Sequence, residues 1–118
     1  MKKIPHVYLD DMLEAIDLVE QYVMGVSEEA FSRDTKLQDA VIRRLSIIGE
    51  AANRLPDDAR SLTSDIPWKT IIGFRNVAIH EYAGVHMGRV WGIIVHELPV
   101  LKKQLTDLLA KLPSPPNP

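Results

Sequence analysis

The sequence predicts an all-α protein, and within that class a four-helix up-and-down bundle with short extra helical turns. Three observations lead to this prediction. Four long stretches repeat apolar residues at spacings of three and four, the period of an amphipathic helix. The connections between them are short and contain Gly, Pro or Ser, which favour turns and helix ends. No stretch alternates apolar and polar residues between turn signals, as a half-buried strand would.

The composition is that of one ordinary globular domain. The chain has 118 residues, of which 46% are hydrophobic and 25% are charged. We expect one helical domain over residues 1–112 and a flexible Pro-rich tail over residues 113–118. The sequence has no Cys, which excludes disulfides and thiolate metal sites, and no apolar run approaches membrane-spanning length. We therefore expect a cytoplasmic protein with no membrane partner.

The net charge of -2 excludes a protein that coats nucleic acid by bulk positive charge. Any contact with nucleic acid must then use a local cluster of Arg and Lys.

The first helix is predicted from Val7 to Met24. Gly25 is a suitable residue to end it, and Ser27 can cap a short helical turn that follows. Its acidic residues are interpreted as a solvated face. The apolar stripe consists of Leu9, Met12, Ile16, Val19 and Val23, and the acids are Asp10, Asp11, Glu14 and Asp17.

The second helix is predicted from about Asp34 to Arg54. The small residues Gly49, Ala51 and Ala52 would let another helix approach closely. Glu50 stands among them, so it either lies near that interface or is an exposed acid on the helix flank. The apolar stripe is Leu37, Val41, Leu45, Ile48, Ala52 and Leu55, and the cations interpreted as surface charge are Arg43, Arg44 and Arg54.

Two further long helices complete the prediction. Pro67 suits the first position of the third helix, which ends near Gly84. The last helix runs from about Met87 to Leu112, and Pro99 should kink it. Its stripe is the strongest periodic signal in the chain: Trp91, Ile94, Leu98, Leu101, Leu105, Leu108 and Leu112.

The third helix concentrates the chemistry, because Arg75, Asn76, His80, Glu81 and Tyr82 fall within eight residues. Arg offers a cationic fork suited to phosphate, and His exchanges a proton near neutral pH. Arg75 and His80 lie about 140° apart around an ideal helix. Either the helix ends near His80, or a second copy of the chain completes the site. A lone His beside a Tyr is, on spacing alone, more often structural than catalytic.

Several site classes are excluded by the sequence. It has no HExxH or Glu-x-x-His pair for a metal, no phosphate loop, no GxGxxG and no nucleophile elbow. We expect no metal and no cofactor. The remaining Arg, Asn and His can cleave RNA, with His as the base and Arg stabilising the phosphorane, or they can simply bind phosphate. The other histidines, His6, His86 and His96, are interpreted as surface or structural residues, with His86 nearest the motif.

The stretch Arg75–Tyr82 resembles the Arg-X4-His-X-Tyr motif of HepT-like toxins in the HEPN superfamily. The resemblance covers nearly the whole chain. It includes Ile47–Ala52, the entry at Ile66–Trp68, Val90-Trp91, and Leu98–Leu101 with its proline. One departure follows the motif, where Gly84-Val85 is followed by His86 and not by the acid that is common in the family.

This resemblance implies a homodimer whose two motifs face each other and form a composite RNase site, with Arg75, His80 and Asn76 as its catalytic residues. It also implies a partner similar to the nucleotidyltransferase antitoxin MntA, which would transfer AMP to Tyr82. Glu50, Glu81 and His86 are candidate supporting residues. The alternative for Tyr82 is that it only packs the helix end.

Two functions of different class remain open. The first is a metal-independent endoribonuclease toxin, which the presence of both Arg75 and His80 favours. The second is a non-catalytic helical module that holds a nucleotidyltransferase partner or a nucleotide, which the negative net charge favours.

Overall fold

The computed structural model of the chain describes residues 5–77 and 87–113, and within these ranges it contains helices and no strand. The all-α class predicted from the sequence is therefore confirmed. His80, Glu81, Tyr82 and His86 lie outside the described residues, as does the predicted end of the third helix.

The described elements follow the order of the predicted helices. None of the helices in the described ranges combines the length and apolarity that crossing a bilayer requires. The α-helices are α1 (Pro5–Val23), α2 (Glu28–Arg33), α3 (Thr35–Arg54), α4 (Asp57–Arg60), α5 (Trp68–Gly73), α6 (Met87–Gly92) and α7 (Leu98–Lys111); a 3₁₀ turn (Phe74–Asn76) follows α5, and a π-helical segment (Ile93–Glu97) joins α6 to α7.

The ends of the first helices are set by the residues that the sequence indicated. Gly25, just beyond α1, has φ of 75°, a left-handed conformation that Gly adopts without steric cost. The Ser27 hydroxyl accepts a hydrogen bond from the Ala30 backbone N–H at 3.1 Å and caps α2. Asp34 caps α3 in the same way through the Leu37 N–H at 3.0 Å.

The core lies between α3 and the helices that pack against it. α3 contacts α1 on one side, and α5 with the 3₁₀ turn on another, while α1 also packs on α7. The predicted stripes of α1, α3 and α7 supply most of this core, including the fully buried Leu9, Ile16, Leu45, Ile48 and Leu105. The acids assigned to the solvated face of α1 are exposed, as predicted. α3 is therefore the helix that contacts the motif segment, which is the described stretch from Trp68 to Val77.

The third predicted helix is less regular than expected. Its α-helical part ends at Gly73 and changes to a 3₁₀ turn, in agreement with the ψ angles of -19° at Gly73 and -25° at Phe74. Pro67 stands directly before the first helical residue and not inside the helix. Val77 has helical angles (φ -59°, ψ -41°), so the backbone remains helical to the end of this described range.

The last predicted helix is also interrupted, at the place indicated by its proline. Pro99 has no N–H, and its ring would clash with the carbonyl of the residue four positions earlier, Val95. Val95 belongs to the π-helical segment, where the regular α-helical hydrogen-bond pattern is already interrupted. The irregularity lies upstream of Pro99 because the clash falls on the preceding turn.

Candidate functional site

Arg75 lies where the motif segment presses against α3. A methyl group on Gly49 would lie 2.4 Å from the Arg75 backbone nitrogen and 2.9 Å from the Ile72 carbonyl oxygen. These separations are well inside van der Waals contact, so the two backbones can approach this closely only because residue 49 has no side chain. The close approach that the small residues of α3 predicted is confirmed, and at Gly49 the nearest atom is the backbone nitrogen of Arg75.

Glu50 is the acidic neighbour of the Arg75 side chain. One carboxylate oxygen of Glu50 lies 4.0 Å from Nη1 of Arg75, and the two side chains are 50% and 37% exposed. At this distance the charges attract each other without a hydrogen bond, so the guanidinium fork can still donate hydrogen bonds to a phosphate. The sequence left open whether Glu50 lies near the helix interface or is an exposed acid on the flank of α3. The structure shows both, because Glu50 is exposed and lies next to the motif segment. A supporting role for Glu50 in catalysis stays a prediction.

Asn76 faces a different part of the protein. It is exposed and lines a cavity of about 410 Å³ between the 3₁₀ turn and the start of the last helical stretch. Thr70 and Arg89 supply further polar groups there, over an apolar floor that includes Phe74 and Ile93. The structure therefore places the neighbours Arg75 and Asn76 against different elements, α3 and α6.

Arg89 is a candidate that sequence analysis missed. It is an exposed cation at the third position of α6, and it lines the same cavity as Asn76. Its one signal in the sequence is its position at the start of the helix that follows the motif. Only the packing of α6 beside the 3₁₀ turn shows that Arg89 shares a cavity with the motif.

The second half of the motif, from His80 to Tyr82, lies outside the described residues. The predicted angle between Arg75 and His80 and the predicted role of His86 are consequently still predictions. Among residues 5–77 and 87–113, no three His, Asp or Glu side chains come together as a metal site. The described half of the site therefore consists of a cation fixed through its backbone, with an acid beside it.

Comparison with protein families and known proteins gives consistent results. A family model described as ribonuclease HepT-like matches residues 12–108, from the middle of α1 to the end of the core stripe of α7. Comparison with solved structures gave no match.

Two relatives align over almost their full length. A protein of Caldanaerobacter subterraneus subsp. tengcongensis, provisionally named an RNase, is 41% identical over 109 residues, which are 92% of this chain and 97% of that protein. The "Probable ribonuclease HepT" of Thermococcus cleftensis is 39% identical over 108 residues, which are 92% of this chain and 98% of that protein.

A third relative carries a second named activity. This protein of Methanocaldococcus jannaschii is named as a gamma-glutamylcyclotransferase and, provisionally, as an RNase. It is 38% identical over 112 residues, which are 95% of this chain. The chain spans 50% of the length of that relative.

Proposed function

Because the chain belongs to the ribonuclease HepT-like family, we propose that it is the cytoplasmic toxin of a toxin–antitoxin pair. Its activity is that of an endoribonuclease that cleaves RNA without a metal ion. The observation that carries this proposal is the position of Arg75, whose backbone is held against Gly49 while its guanidinium is partly exposed beside Glu50.

In this proposal Arg75 stabilises the transition state. Attack of the 2′-hydroxyl on the adjacent phosphate forms a phosphorane that carries additional negative charge. A guanidinium held in place before the reaction stabilises this charge without reorganising, which is often the largest single contribution to catalysis. The contact with Gly49 fixes the backbone from which this side chain extends. Asn76 donates or accepts a further hydrogen bond to the RNA from the cavity that it lines.

His80 transfers the protons. As a neutral base it removes the proton of the 2′-hydroxyl, whose oxygen then bonds to phosphorus. The bond from phosphorus to the 5′-oxygen breaks, and that oxygen takes a proton from an acid, for which we propose His80 of a second copy in its protonated form. The products are a 2′,3′-cyclic phosphate and a free 5′-hydroxyl.

A homodimer is part of the same proposal. Since Arg75 and His80 are about 140° apart on an ideal helix, two facing motifs would complete one cleft that a single motif leaves incomplete. Each copy would be a four-helix up-and-down bundle. Light scattering at tens of micromolar should give the mass of a dimer, and a monomer alone would contradict the composite site.

Control of the activity would depend on Tyr82. We propose that a nucleotidyltransferase antitoxin similar to MntA transfers AMP from ATP to the Tyr82 hydroxyl. The phenolic oxygen loses its proton to solvent and bonds to the α-phosphorus of ATP, and pyrophosphate leaves. The added anion would repel an RNA phosphate and occupy its place beside the motif.

The test is cleavage of RNA by the purified chain in the presence of EDTA. We expect cleavage with a cyclic phosphate product, and Arg75→Ala or His80→Ala should each lower the rate about a hundredfold or more. Arg33→Ala is the matched control, because Arg33 is an exposed arginine on α2 paired with Glu29. Wild-type protein that binds RNA or a nucleotidyltransferase but never cleaves would favour the non-catalytic binding module.

A further inference from the structure

A second cavity lies on the side of α3 that faces α1. This α1–α3 groove has a volume of about 240 Å³. It is lined on polar walls by Arg43, Ser46, Glu50 and Arg54 of α3 and by Tyr8 and Asp11 of α1. Arg43 and Arg54 are both exposed. Two of the three α3 cations that sequence analysis interpreted as surface charge therefore flank one concave site.

The groove is continuous with the motif through Glu50. This residue lines the groove, and its carboxylate also lies 4.0 Å from the Arg75 guanidinium. Arg43, Ile47, Glu50 and Arg54 follow one another at intervals of four, three and four, so they share one face of α3. From Arg43 to Arg54 this face is about 16 Å long. A linear ligand lying along this face passes Glu50, the acidic neighbour of Arg75.

The chemistry of the groove suits single-stranded RNA. Two guanidinium groups bind phosphate oxygens, and the Ser46 hydroxyl can bond to a phosphate or a sugar. Tyr8 brings an aromatic ring to the wall, and aromatic rings are surfaces on which bases stack. The carboxylates of Asp11 and Glu50 repel phosphate but accept hydrogen bonds from the exocyclic amino groups of bases. Cations and acids thus both line the groove, as phosphates and base edges alternate along an RNA strand.

We propose that the α1–α3 groove binds the RNA nucleotides that flank the phosphate held by Arg75, with Arg43 and Arg54 each on a phosphate of these nucleotides. This inference rests on the proposed ribonuclease function and adds a binding subsite to it. A negatively charged chain needs such a local cation pair to hold RNA, because its net charge of -2 does not attract the strand.

The experiment compares Arg43→Ala/Arg54→Ala with two double variants in the full chain. Arg43→Lys/Arg54→Lys keeps both charges in the groove. Arg33→Ala/Lys103→Ala removes two exposed cations from α2 and α7 and changes the net charge equally. Binding of a fluorescein-labelled single-stranded RNA is measured by anisotropy over a range of salt in a His80→Ala background, and cleavage is measured with His80 intact.

The alanine pair in the groove should weaken RNA binding about tenfold and lower the slope of log K against log salt by about 1.4, since each contact with single-stranded phosphate contributes about 0.7. It should raise KM and leave kcat unchanged, because neither arginine contacts the reacting phosphate. The lysine pair should keep most of the salt slope, and the α2/α7 control should behave as wild type.

Each other outcome overturns the inference. If wild-type protein cleaves RNA and the groove variant keeps the KM and salt slope of the control, the groove is not the subsite, while the proposed function stands. If wild-type protein neither binds nor cleaves RNA, both fail. If the groove variant loses its dimer in light scattering and keeps the salt slope, the groove is a contact between copies and not an RNA site.

Discussion

The backbone nitrogen of Arg75 lies so close to Gly49 that a methyl group on residue 49 would come within 2.4 Å of it. This contact joins the second predicted helix to the motif by backbone alone. The same methyl group would lie 3.0 Å from the Cβ of Arg75, so the close contact extends to the base of the Arg75 side chain. The position of the cation depends on a residue that has no functional group of its own.

Gly49→Ala should therefore destabilise the protein. Alanine usually stabilises a helix interior by about 1 kcal/mol relative to glycine, but overpacking against a rigid backbone costs about 1–3 kcal/mol. We expect the steric cost to exceed the helical gain, with a net loss in chemical denaturation. RNA cleavage should fall further than the fraction folded, because α5 and the 3₁₀ turn must move away from α3.

Gly92→Ala is the matched control for this prediction. Gly92 is helical (φ -59°, ψ -40°), and an added Cβ there meets nothing within 4 Å. We expect no loss, or a gain of up to about 1 kcal/mol from helix propensity. Equal stabilisation by both substitutions would show that the segment carrying Arg75 can leave Gly49 without cost.

Glu50→Gln should separate RNA binding from catalysis. At 4.0 Å and with both side chains partly exposed, the ion pair with Arg75 contributes little to stability, so the free energy of unfolding should change by less than about 1 kcal/mol. Removing the Glu50 charge should lower KM, because the carboxylate no longer repels an RNA phosphate that approaches Arg75. It should also lower kcat severalfold, because the guanidinium loses the neighbour that orients it.

Steady-state kinetics with a single-stranded RNA would check this split. Glu29→Gln, which removes an exposed acid paired with Arg33 on α2, is the control and should leave both constants unchanged. If Glu50→Gln raises KM and leaves kcat unaltered, the hydrogen bonds of Glu50 to bases outweigh its repulsion of phosphate, and Glu50 does not orient Arg75.

Titration of Lys102 should make stability depend on pH in the alkaline range. Its ammonium lies 3.0 Å from Asp17 and 3.1 Å from Glu20, which ties α7 to α1. The hydrogen bond to Asp17, followed by that to Glu20, raises the pKa of Lys102 above its ordinary value. A lysine whose pKa is higher in the folded state than in the unfolded state stabilises the fold fully below the unfolded-state pKa. This contribution is lost as the pH rises through the folded-state pKa.

Denaturation of wild type and Lys102→Met should accordingly differ at neutral pH and converge under strongly alkaline conditions. At neutral pH, added salt should reduce the difference in unfolding free energy between wild type and Lys102→Met, because the charged groups of this ion pair are exposed. Lys103→Met, at an exposed position beside it, is the control. A difference between wild type and Lys102→Met that persists unchanged at high pH would assign the effect to packing of the lysine stem.

The sequence predicted the features of the fold that depend on local chemistry. Gly25 and Ser27 act at the helix ends where they were expected, because capping and left-handed turns depend on a few adjacent residues. The buried stripes also followed from periodicity. By contrast, the 3₁₀ turn at Phe74–Asn76 was not predicted. A 3₁₀ turn of three residues differs from an α-helical turn in its hydrogen bonds, but it is too short to change the spacing of apolar residues.

The candidate site was predicted only in part, for a related reason. Spacing indicated that small residues on α3 receive another helix, but the atom that contacts Gly49 depends on how the helices cross. Likewise, Arg54 and Tyr8 are 46 positions apart and line one groove only because α1 packs on α3. Relations of this kind come from tertiary packing, which periodicity along one helix does not encode.

The last prediction concerns Tyr82, which the family resemblance assigns as the acceptor of AMP. Tyr82→Phe keeps the ring and removes the hydroxyl, so the variant should stay folded and toxic while its nucleotidyltransferase partner with ATP no longer neutralises it. Intact-mass spectrometry should show added AMP on wild type and none on the variant. Tyr22→Phe, a half-buried tyrosine on α1, is the control and should be modified as wild type. Equal labelling of wild type and Tyr82→Phe would place the modification on another residue.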